Sequence, residues 1–86
     1  MTDRNVRLGK FEAVDHTMAE AVVYLDGCPV GTLERWREGA RVQRYDAFVG
    51  YDAPTASRCF YVFGDSAART RTRAVDWLIV NSGEVL

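Results

Sequence analysis

Ala21-Val22-Val23-Tyr24-Leu25-Asp26-Gly27-Cys28-Pro29-Val30 is the stretch that decides the fold. Five apolar, β-branched or aromatic residues run into Asp-Gly, and apolar residues resume directly afterwards. Asp-Gly between such flanks predicts a two-residue type I′ hairpin, because both central positions need φ > 0. A turn of that kind sets a register. Leu25 is expected opposite Cys28, Val23 opposite Val30 and Ala21 opposite Thr32 on one face. Tyr24/Pro29, Val22/Gly31 and Glu20/Leu33 share the other. The first face is the natural core face. The second is half apolar, more than a monomer covered on one side requires.

Outward from the hairpin, Glu38-Gly39 marks a second turn, between Trp36-Arg37 and Ala40-Arg41. Tyr45, Ala47, Val49 and Tyr51 alternate with Asp46, Phe48, Gly50 and Asp52, as a half-buried strand does. Residues 52–57 form a loop in which Pro54 forbids ladder pairing. Arg58 to Phe63 then reads as the most buried strand, closed by Gly64. Asp65 is expected to cap a helix over residues 65–80 that ends at Asn81-Ser82-Gly83. At 100° per residue, Ala67, Ala74, Val75 and Leu78 form its packing face. Arg69, Arg73, Asp76, Trp77 and Val80 fall opposite. Upstream, Val6, Leu8, Phe11 and Ala13 change phase at Gly9, predicting a bulged strand or two short extended pieces. Residues 1–5 are polar and expected to fray. The sum is one α+β domain over residues 1–86. It is an antiparallel β-meander of three to four strands within 6–63, open to an extra N-terminal strand, packed by one C-terminal helix.

Composition narrows the function. Eighty-six residues hold one core. Hydrophobic residues at 48% and charged residues at 27% are globular values, against disorder. The formal net charge of −1 supplies no field to attract nucleic acid or an acidic membrane. No apolar run approaches the roughly 20 residues needed to span a bilayer, and no basic-then-apolar signal stands at the start. Cys28 and Cys59, with no other cysteine, read as two reduced, buried thiols of a cytoplasmic protein.

No catalytic residue, metal site or cofactor is expected. His16 stands beside Asp15, but adjacent strand residues point to opposite faces. No second histidine or cysteine pair offers zinc spacing, and no Gly-rich loop could cradle a phosphate. Binding candidates remain. Trp77 and Val80 form an outward helix patch, and Val22 with Tyr24 a semi-apolar sheet face; Trp77→Ala is expected to weaken association and spare the fold. The N-terminal strand is a candidate for adding to a partner's sheet edge. Arg35, Arg37, Arg41 and Arg44 surround Trp36 and, with Arg69 and Arg73 on the helix, are the nucleic-acid candidates. Interleaved Glu34, Glu38 and Asp46 dilute the hairpin patch, and Asp76 is the expected partner of Arg73.

The run from Val22 to Leu78 resembles the small meander-plus-helix modules of phage and mobile-element proteins, including the arm-site DNA-binding domains of tyrosine integrases. Val22-Val23-Tyr24-Leu25-Asp26-Gly27, a strand ending in Phe63 before a helix, and Ala74-Val75-Asp76-Trp77-Leu78 carry the resemblance. It implies a phage-type accessory protein acting by binding. In the integrase modules the sheet that enters DNA is basic; here its third strand carries Asp46 and Asp52. The function expected is therefore a non-enzymatic module that binds a protein, of the host or a second copy as a homodimer. Nucleic-acid binding through the arginines is the alternative.

Overall fold

The computed structural model describes residues 5–82. Residues 1–4 of the expected frayed start, and Gly83 of the helix stop, lie outside them. Six antiparallel strands form one sheet: β1 (Val6–Leu8), β2 (Glu12–Ala13), β3 (Met18–Leu25), β4 (Cys28–Glu38), β5 (Arg41–Val49) and β6 (Ala56–Tyr61). One helix follows, α1 (Ala67–Val80). Strand order is β1-β3-β4-β5-β6, with β2 beside β1 along the same edge of β3. This is an α+β fold, a meander packed by one helix, with two short N-terminal strand pieces.

The hairpin turn is the predicted one, with Asp26 at φ 51° and Gly27 at φ 83°. Its register holds for two rungs, Leu25–Cys28 and Tyr24–Pro29, and then slips, so that Val23 faces Gly31 and Ala21 faces Leu33. Val30 is the extra residue of a bulge, which turns the rest of β4 over. The correction follows from packing. The slip drives Leu33 into the core, fully buried, and places Gly31 directly under the methyl groups of Leu78.

Three rows of paired residues make the helix side. They are Ala19-Arg35-Tyr45-Phe60, Ala21-Leu33-Ala47-Arg58 and Val23-Gly31-Val49-Ala56. Val23, Leu33, Tyr45, Ala47 and Val49 join Ala74 and Leu78 in the core cluster. The helix lies over β5 and flanks β4 and β6. Leu8 and Phe11 cover the remainder, Phe11 with its ring 6.3 Å from Tyr45 and under the Arg35 guanidinium at 4.5 Å.

Three further expectations are corrected. The segment Arg58 to Phe63 is not the most buried strand: β6 is the sheet edge, and its residues are exposed except half-buried Phe60. Both cysteines are exposed, Cys28 beside the turn and Cys59 on that edge. The helix cap is Ser66, whose hydroxyl accepts from Arg69 N–H at 3.0 Å. Asp65 instead accepts from Ser66 N–H and pairs with Arg73 at 2.8 Å and Arg69 at 3.8 Å. That backbone bond first, and the two guanidiniums after it, hold its carboxyl below the usual carboxylate range.

Candidate interaction surface

Among the described residues, one face of the sheet has no helix on it. Its rows are Met18-Trp36-Arg44-Tyr61, Glu20-Glu34-Asp46-Cys59 and Val22-Thr32-Phe48-Ser57, with Tyr24 beyond them. Glu12 extends the middle row through its pairing with Glu20. Four carboxylates and a thiol therefore cross the sheet in one line, with aromatic and aliphatic side chains on both sides.

Local pairs hold this face rigid. The Arg44 guanidinium lies 4.5 Å over the Trp36 ring and donates to Asp46 at 3.0 Å. The Trp36 indole N–H donates to Glu34 at 3.0 Å. Arg7 covers the ring of Tyr24 at 4.2 Å. Desolvation pushes the Glu34 carboxyl upward, the Trp36 bond pulls it back, and Asp46 and Glu20 raise it further. The neighbouring Asp46 carboxylate likewise holds the Cys59 thiol above its ordinary value.

A raised carboxyl favours folding fully only while protonated, below its unfolded value, and the benefit is lost as pH rises through the folded value. At neutral pH the charge on Glu34 thus opposes folding. Glu34→Gln keeps an oxygen for the indole and removes the charge. It should raise Tm at pH 7 by roughly 2–4 °C, with the gain vanishing in acid, as followed by circular dichroism. An unchanged Tm at pH 7 would mean that the acidic row is fully solvated.

The predicted contact residues do not form one patch. Val22 and Tyr24 are half-buried on the uncovered face. Val80 is 64% exposed at the helix end, on the far side of the sheet. Trp77 does not point away: it is half-buried, edge-to-face with Phe60 at a centroid separation of 6.1 Å. Its indole is wide enough to reach from the helix flank to the edge strand, which angular position alone does not register. Trp77 is thus part of the packing, so Trp77→Ala is expected to lower stability as well as any association.

The arginines divide as well. Trp36 and Arg44 share the uncovered face, while Arg35 lies on the helix side over Phe11. Arg37 and Arg41 are exposed at the second turn. Arg69 and Arg73 converge on Asp65, which replaces Asp76 as the partner of Arg73. No group of three or more His, Cys, Asp or Glu side chains suited to a metal occurs among the described residues. Asp15 is occupied with its own turn, accepting from the Thr17 hydroxyl and the N–H groups of Thr17 and Met18.

Sequence reading missed Phe48, Glu34, Asp46 and Tyr61 as one surface. The alternation in β5 carried the signal for Asp46 and Phe48, but their neighbours on β4 depended on the bulge. Among the described residues no helix is long and apolar enough to cross a membrane. Set against family models, curated proteins and solved structures, the chain matches none of them.

Proposed function

We propose that this chain is a non-enzymatic protein-binding module, an accessory or regulatory protein of phage type, and that the uncovered sheet face makes the contact. The observation that carries the proposal is the composition of that face. Tyr24, Trp36, Phe48 and Tyr61 present aromatic surface beside the row Glu12, Glu20, Glu34 and Asp46. Aromatic residues held rigid in a sheet lose little entropy on docking and supply most of the affinity at protein interfaces. The exposed carboxylates of Glu12 and Glu20 in that row select for a partner with basic side chains and against phosphate.

The same charges weigh against nucleic acid, the alternative reading. Of its arginines, Arg44, Arg69 and Arg73 have carboxylate partners. Arg35 is on the opposite face from Trp36.

The test is affinity capture with wild type and with Tyr24→Ala/Trp36→Ala, followed by titration of whatever protein the wild type retains. Loss of rotationally fixed aromatics at an interface centre costs about 2 kcal/mol each, so the double variant should bind roughly 1,000-fold more weakly at unchanged circular dichroism. Equal binding by the double variant would remove this face as the site. A random DNA duplex that shifts the wild type only at low salt would favour the nucleic-acid reading.

A further inference from the structure

We propose that the outer edge of β6 is a second interaction site, occupied by β6 of a second copy of this chain, so that two sheets join into one across a two-fold axis. The proposal goes beyond the binding reading above and uses the backbone edge of β6, which meets the uncovered face at Tyr61.

Backbone phase comes first. Val62 N–H donates to Gln43 C=O at 3.0 Å, so residues paired in that phase, Phe60 and Arg58 included, turn their backbone groups toward β5. Ser57, Cys59 and Tyr61 therefore turn theirs outward. No described hydrogen bond involves those outward groups. A row of open donors and acceptors on an extended strand is a template for one further strand.

The usual protections of such an edge are missing here. From Ala56 to Phe63 there is no proline, lysine or bulge, and the only charge is Arg58. The helix packs chiefly on β5 and less on β6. Two exposed aromatics finish the same segment: Tyr61 at 47% and Phe63 at 81% exposure, their rings stacked 5.6 Å apart. A lone domain gains nothing by leaving Phe63 in water.

A second copy fits this edge by its own sequence. Antiparallel self-pairing about Cys59 sets Arg58 against the partner's Phe60 and Ser57 against the partner's Tyr61. Ala56 meets the partner's Val62, and Phe63 meets the partner's Thr55, beside Pro54. The Arg58–Phe60 pairing repeats across the axis a contact already made within the chain, where the guanidinium lies 5.0 Å from the Phe60 ring. No like charges face each other. The opposite side of the sheet is blunted, because β1 and β2 are only three and two residues long. With one open edge per copy among the described strands, association closes at a dimer and does not run on into a fibre.

Light scattering coupled to size exclusion reads the result. Wild type should elute at twice the monomer mass at high and low salt. Cys59→Pro removes an outward N–H and none of the bonds to β5, and should elute at half that mass with the same circular dichroism spectrum. Cross-linking keeps the test decisive if that variant fails to fold. In the dimer, Cys59 lies about 5.5 Å in Cα separation from its counterpart. A short bis-maleimide at dilute protein should link Cys28→Ser into covalent dimers and leave Cys59→Ser, which retains exposed Cys28, at least tenfold less linked. Monomeric wild type, dimeric folded Cys59→Pro, or equal linking through Cys28 would each overturn the proposal. A monomer that still captures a protein through Tyr24 and Trp36 overturns this inference alone.

Discussion

Gly31→Ala should leave most of the molecules unfolded at room temperature in mild denaturant. A Cβ at this position collides with the carbonyl oxygen of Phe48 and lies 3.0 Å from both methyl carbons of Leu78. The first neighbour is backbone of an adjacent central strand, so no rotamer change relieves it. The second is a fully buried side chain held in the core cluster. Relief requires either opening the β4–β5 ladder or lifting the helix. Overpacking against backbone costs about 3 kcal/mol, at the upper end for one added methyl. A domain of this size has a total stability near the lower end of about 5–15 kcal/mol. The urea midpoint should therefore fall by roughly half, with the slope unchanged. A wild-type midpoint would show that the helix is not seated on β4 at Gly31.

Leu33→Ala is the second large effect, a loss of about 3 kcal/mol. Leu33 is fully buried in the central strand, between Ala21 and Ala47 on its two rungs. Neither alanine has atoms that could swing into the space left behind, so most of the cavity persists. The same urea titration distinguishes this from the unbulged hairpin register. With Leu33 on the uncovered face, truncation would cost well under 1 kcal/mol. The midpoint thus reports directly on the Val30 bulge.

These two residues show where sequence reading succeeded and where it stopped. Asp26-Gly27 was legible because positive φ at two consecutive residues is a local demand that few residue pairs meet. Tyr45, Ala47 and Val49 were legible because a period of two is imposed by the strand itself. The α+β class, the strand run and the helix over most of 65–80 came from such local signals. The Val30 bulge was not local. Nothing between Cys28 and Thr32 asks for an extra residue; the demand comes from Leu78, nearly fifty positions later, which needs a residue without a Cβ beneath it.

The candidate surface was legible only in pieces. Val22 and Tyr24 were placed on a half-apolar second face, and that face is indeed uncovered. Sequence spacing groups Trp36 and Arg44 in an arginine cluster that the sheet divides between its two faces. Glu34 and Asp46 were read as dilution of a basic patch, whereas pairing across three strands makes them the middle of an acidic row. Trp77 was misplaced because an angular projection treats every side chain as a point at one radius.

By itself the sequence determined the elements and their order, because turns and alternation are settled by steric preferences of a few adjacent residues. Tertiary structure alone decided which strand lies at the edge and which β4 residues share the open face. Arg58 to Phe63 is apolar enough for a central strand. Among the described strands it is the last of the meander, though, and the chain then turns into the helix over β5, so none of them pairs with its outer edge. Hydrophobicity records what a segment would bury, and the number of neighbours it receives is set by the path of the whole chain.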